Sequence, residues 1–112
     1  MRRRLGDRGA VSAEFAVALP AIILLLVLCV GTLSSASRQV RLQDATADAA
    51  RLIARGDDAG RALALIGGAV PDARSAVGRE ADAVCVTASA PVGIPLVDLR
   101  VEARSCALDG GR

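Results

Sequence analysis

The stretch RGAVSAEFAVALPAIILLLVL, residues 8–28, decides how the rest of the chain is read. Its second half is as apolar as a membrane segment. Yet a carboxylate, Glu14, stands at its mouth, five residues after Gly9. Residues 15–37 carry no charge at all. As a helix rising about 1.5 Å per residue, that run is about 34 Å long, enough for a hydrocarbon core of about 30 Å. A helix buried in a soluble core is usually shorter or keeps a polar face, so this run is expected to enter a membrane.

The charges around the run set an orientation. Arg2, Arg3, Arg4 and Arg8 precede it against Asp7 alone, and only Arg38 and Arg41 follow closely. The positive-inside rule then predicts a single-pass protein with a cytoplasmic N-terminus and an extracytoplasmic C-terminal part. From Arg38 onward, arginines and carboxylates balance. The chain has 112 residues and is 53% apolar, with no Lys, His, Trp or Tyr and one aromatic residue, Phe15. A neutral body with no basic patch and no aromatic surface argues against nucleic-acid binding. The missing His removes the commonest general base and metal ligand. No phosphate loop and no Cys-x-x-Cys is present, so no catalytic residue, metal site, cofactor or small-molecule substrate is expected. Asp57 and Asp58 are sequence neighbours bracketed by Gly56 and Gly60, and read as solvated turn residues rather than an acidic dyad.

Three readings fit residues 1–37. The first is a signal anchor, with a basic flank, a spanning helix and an outer domain. The second is a secretory signal cleaved after Ala36, where Ser34-Ser35-Ala36 supplies the small residues a signal peptidase takes. Its apolar core is longer than the ~7–15 residues usual for such signals. The third places a cut after Gly9. Ala10 then becomes the N-terminus and Glu14 the fifth residue of the mature chain, followed by Phe15 and an apolar helix.

That third pattern resembles a type IV prepilin, with its short basic leader ending in Gly, its Glu at the fifth mature position and its apolar helix. The wider string DRGAVSAEFAVALP, residues 7–20, resembles the TadE-like family more closely still. These are minor pilins or pseudopilins of the tight-adherence (Tad/Flp) pilus machinery. RLQDATADAARLIARG, residues 41–56, also resembles the Ala- and Arg-rich helix of actinobacterial members, and SAPV, residues 89–92, fits a Val-rich C-terminal hairpin. The resemblance implies processing between Gly9 and Ala10 by a prepilin peptidase, and partners among other pilins and Tad assembly proteins. It implies assembly through the apolar helix, with Glu14 meeting the free amine of Ala10 on a neighbouring subunit. It implies a place in the cell membrane, and on the pilus or cell surface after assembly.

Elementary energetics agree with a special role for Glu14. A carboxylate centred in lipid costs about 2–3 kcal/mol and less near the interface. A helix N-terminus returns only about 0.3–1 kcal/mol of that. Pro20 removes the bond from its own amide position to the Ala16 carbonyl and favours a kink there. Cys29 reads as a small apolar filler in the span.

Beyond the apolar run the helix is expected to continue. Leu42, Ala45, Ala49 and Leu52 form one apolar stripe. Arg41, Asp44, Asp48, Arg51 and Arg55 form a charged stripe beside it, with Asp48 and Arg51 paired at i, i+3. Gly56 is placed as the cap that ends the helix. Residues 58–70 read as a short helix ended by Gly67-Gly68, and residues 71–79 as a turn or loop. Residues 81–90 read as a β-branched strand. Residues 96–106 alternate as a second strand, with Val97, Leu99, Val101 and Ala103 on one face and Asp98, Arg100, Glu102 and Arg104 on the other. Pro91-Val92-Gly93-Ile94-Pro95 would join the two as a hairpin. The tail, residues 109–112, is expected to fray.

The expected fold is therefore α+β: a long N-terminal helix, membrane-spanning in its first half, then a short helix and a small antiparallel hairpin or sheet. Residues 1–9 form a leader, 10–37 the assembly helix, 38–56 its extracytoplasmic continuation and 57–112 a small outer domain. Cys85 and Cys106 fall on the two strands in an oxidising compartment, which predicts a disulfide. Cys106 lies one residue out of phase with the apolar face, so the bridge is expected to need a bulge or a strand end.

Overall fold

A computed structural model describes residues 2–94 and 96–110. Pro95 of the expected hairpin linker and the last two residues of the expected frayed tail lie outside the described residues. The architecture is α+β in the order α1 (Arg2–Ala54), α2 (Ala59–Ala69), β1 (Arg74–Glu80), β2 (Ala83–Pro91) and β3 (Arg100–Leu108). The strands form one antiparallel sheet in the order β1-β2-β3. Two compact units divide the chain, Met1–Leu33 and Ser34–Arg112, with α1 contributing to both.

In the second unit the helical period produces the packing. Leu42, Ala45, Thr46, Ala49, Ala50, Ile53 and Ala54 are buried on one side of α1, while Arg41, Asp44, Asp48, Arg51 and Arg55 stay exposed. The buried band is broader than the expected stripe, because it takes in i+4 neighbours as well as i+3. Its small alanines bring helix and sheet backbones close. Thr46 satisfies its buried hydroxyl by donating to the Leu42 carbonyl at 2.6 Å. On the exposed face Asp48 and Arg51 pair at 3.8 Å.

Gly56 ends the helix as expected. At φ +99° it lets its own amide reach the Ile53 carbonyl at 3.0 Å, while the Asp57 amide reaches the Leu52 carbonyl at 3.1 Å. This pair of bonds is a Schellman closure, and φ > 0 there favours glycine. Asp58 caps the next helix by accepting from the Arg61 amide at 3.1 Å.

Gly67 and Gly68 do not stop α2. The helix runs on to Ala69, and the Val70 amide still bonds the Ile66 carbonyl at 2.9 Å. Burial of Ile66 and Val70 outweighs the glycine cost of about 1 kcal/mol each.

The sheet covers the same core. Val84, Val86, Ala88 and Ala90 of β2 point into it, joined by Ala103 of β3, with Val101 and Ala107 partly buried against it. Residues 71–79, expected as a turn or loop, instead supply most of β1. The strand owes little to its own hydrophobicity, since nearly every residue in it is exposed. It exists because it pairs with β2 from Arg74↔Ser89 to Glu80↔Ala83. Asp82 and Ala81, the latter at φ +51°, make the tight turn that returns the chain.

The last strand is also shifted from expectation. It starts at Arg100, so Val97 and Leu99 lie in the preceding loop and are exposed. Pairing with β2, from Ala83↔Leu108 to Pro91↔Arg100, fixes its limits.

Candidate functional site

The first unit is the apolar half of α1. The helix is long and apolar enough to cross a membrane. Its large side chains, including Phe15, Val17, Ile22, Leu25 and Val30, are exposed, which leaves them free for lipid or for other helices. Within it the Thr32 hydroxyl donates to the Cys29 carbonyl at 2.9 Å, as buried or lipid-facing hydroxyls do in membrane helices. Cys29 itself is a free, exposed thiol.

The residues singled out in the sequence for processing and assembly all lie on this helix. Gly9 and Ala10 sit in continuous helix, and a side chain added at Gly9 would meet nothing within 4 Å. Glu14 is one turn further on, exposed, with no ion-pair partner among the described residues. At four residues' spacing, Ala10 and Glu14 share one face of the helix, about 6 Å apart along its axis. Phe15 follows, 63% exposed. Pro20 is accommodated without ending the helix.

Cys85 and Cys106 are joined by a disulfide. The bridge needs no bulge, because the β2–β3 register is unbroken and places the two cysteines directly opposite each other. The phase argument fails for a simple reason. Cys85 also points away from the core, since Val84 and Val86 beside it point in. Both cysteines therefore share the sheet face that carries the Arg104–Glu80 ion pair and the Arg100–Ser89 hydrogen bond.

Three side chains that sequence reasoning did not single out fasten the second unit together. Arg38 donates from Nη1 to the Pro91 carbonyl at 2.7 Å. Gln39 and Gln43, one turn apart, donate to the Glu102 and Arg104 carbonyls of β3 at 2.7 and 3.3 Å. Edge-strand carbonyls left bare invite pairing with other chains, and the two glutamines occupy them. The signal was a pair of amides at i, i+4 flanking the apolar stripe. Among the described residues no group of three or more His, Cys, Asp or Glu is arranged to hold a metal ion.

An apolar helix long enough to cross a membrane, followed by a small disulfide-bonded α+β unit, is consistent with a class: the single-pass membrane proteins. The family model described as TadE-like protein matches residues 9–51, from Gly9 through the apolar run into the packed part of α1. A protein of Mycobacterium tuberculosis named apoptosis inhibitor Rv3655c is 36% identical over 103 residues, covering 87% of this chain and 78% of its own length. No solved structure matches the chain. The chain belongs to the TadE-like family, and is thereby related to the Tad pilus system.

Proposed function

We propose that this chain is a minor pilin of a Tad-type pilus, a non-enzymatic assembly protein that enters the membrane with its N-terminus cytoplasmic. A prepilin peptidase trims it between Gly9 and Ala10. The helix beginning at Ala10 then bundles with other pilins, and the disulfide-bonded unit stands outside the membrane. The observation that carries this reading is the order Gly9, Ala10, Glu14, Phe15 at the mouth of an apolar helix with exposed side chains.

The physical argument has two parts. Peptidases cut extended chain, and Gly9 weakens the helix locally by about 1 kcal/mol relative to alanine. Glu14 has no partner among the described residues, and a carboxylate at the hydrocarbon edge gains from one. A free amine at Ala10 of a neighbouring subunit is a cation of the right size at the right depth. That pairing fixes the axial register between helices.

A second reading has one observation in its favour. The compact unit begins at Ser34, so a chain released after Ala36 keeps the entire buried core and the clasps from Arg38, Gln39 and Gln43. The name of the mycobacterial relative gives that released form an activity to test, inhibition of apoptosis.

Substitutions separate the readings. In sheared-surface fractions from cells that make the pilus, Gly9→Leu and Glu14→Gln each remove the chain, while both variants remain in the membrane fraction. Recovery of Glu14→Gln in the fibre at the wild-type level rules out the register role. Loss of a soluble extracellular form in Ala36→Leu, with Gly9→Leu unaffected, makes the released form the true one.

A further inference from the structure

We propose that the charged stripe of α1 docks on the same stripe of a second copy of this chain, running parallel to it and displaced by seven residues. The proposal rests on the pilin reading for the direction of the second copy.

The stripe is Arg41, Asp44, Asp48, Arg51 and Arg55, all exposed on the side of α1 away from its buried band. Steps of three and four residues alternate along it, so the five side chains fall on one seam of the helix. The order of signs along that seam suits an isolated helix poorly. At i, i+4 it sets Asp44 beside Asp48 and Arg51 beside Arg55, like charges that destabilise a solvated helix. Of the two opposite pairs at i, i+3, only Asp48–Arg51 forms, at 3.8 Å. Arg41, Asp44 and Arg55 make no ion pair among the described residues.

A second copy resolves the pattern. A parallel displacement of seven residues sets Asp48 against Arg41, Arg51 against Asp44 and Arg55 against Asp48 of the second copy. All three pairs are opposite in charge, and no like pair arises. Other parallel displacements do worse. Three residues give two opposite pairs, four give two like pairs, and none sets each charge against its own kind. Seven residues are also two helical turns to within about 20°, so the same seam is presented at that displacement, about 10.5 Å along the helix. Exposed charge pairs of this kind choose partner and register rather than supply affinity, which in the pilin reading comes from the apolar helix.

Turned end for end, the stripe matches itself too, Asp48 against Arg51 and Asp44 against Arg55 of the second copy. Subunits of a filament follow one another head to tail and share one polarity, which selects the parallel arrangement.

Cross-linking tests this in the full chain. Two versions with different tags, both carrying Cys29→Ser, are produced together in cells that make the pilus, and each has one further cysteine. Sheared fibres are oxidised, and disulfide-linked pairs bearing both tags are measured. Asp48→Cys with Arg41→Cys, and Arg55→Cys with Asp48→Cys, are expected to link, since Arg51 and Asp44 remain to hold the register. Asp48→Cys with Arg51→Cys, which meet only end for end, are expected not to. As a second readout, Asp48→Arg sets like charges against both Arg41 and Arg55 and is expected to leave the fibre fraction while staying in the membrane fraction. Linking of positions 48 and 51 but not of 48 and 41 overturns the proposal in favour of an end-for-end pair. No linking at any pair, with both tags present in the fibre, overturns the stripe contact and leaves the pilin reading standing. Absence of the tagged chain from the fibre even without added cysteines removes the pilin reading, and the proposal falls with it.

Discussion

Removing the Cys85–Cys106 bridge has an effect that can be sized from the structure. The two residues are 21 apart in sequence. Closing a loop of that length restricts the unfolded chain by about 11 cal/mol/K, or about 3 kcal/mol at 25 °C. A unit the size of Ser34–Arg112 has a stability of about 4–12 kcal/mol at ordinary per-residue values. Its buried side chains are mostly alanine and valine, so it belongs towards the lower end. The bridge is then a large share of the total.

Amide hydrogen exchange at Val84 and Val86, buried at the centre of the sheet, reads the opening free energy of the unit without unfolding the apolar helix. Cys85→Ala with Cys106→Ala is expected to speed exchange there by about two orders of magnitude, since about 1.4 kcal/mol is tenfold. Reducing the wild-type bridge gives the same acceleration without altering the packing of Cys85. An acceleration under about tenfold, or an equal effect of reductant on the double variant, refutes the reasoning.

Three further substitutions test the packing and the ends of the helices. Ile66→Ala, at a fully buried position where α2 meets the core, is expected to lower stability by about 2–5 kcal/mol in the same exchange assay. Gly56→Ala places a Cβ on a residue at φ +99° and is expected to cost about 1–2 kcal/mol by strain, as no atom lies within 4 Å to clash with it. Asp58→Ala removes the cap on the Arg61 amide and is expected to cost about 1 kcal/mol, read as faster exchange confined to the first turn of α2.

How far the sequence could be read depended on the kind of interaction involved. The apolar run, the stripe from Leu42 to Ile53 and the stop at Gly56 were legible because they are local, set by helical period and a single backbone conformation. The strand β1 was not, because its seven residues include little apolar surface and their conformation comes from pairing with β2. The same pairing moved β3 past Val97 and Leu99, whose alternation had pointed to a longer strand. It also put Cys106 opposite Cys85 with no bulge. In the N-terminal segment Gly9, Ala10, Glu14 and Pro20 were singled out by their order in the sequence alone, and their roles are part of the proposal. The clasps by Arg38, Gln39 and Gln43 were not, because their carbonyl partners lie more than 50 residues away in sequence.

The most direct test of the pilin account is the mass of the chain's N-terminal peptide, taken from membrane and sheared-surface fractions with the prepilin peptidase present and absent. The account predicts a chain beginning at Ala10 that is found only when the peptidase is present. A chain that begins at Ser37, or one that keeps residues 1–9 in both fractions, contradicts it.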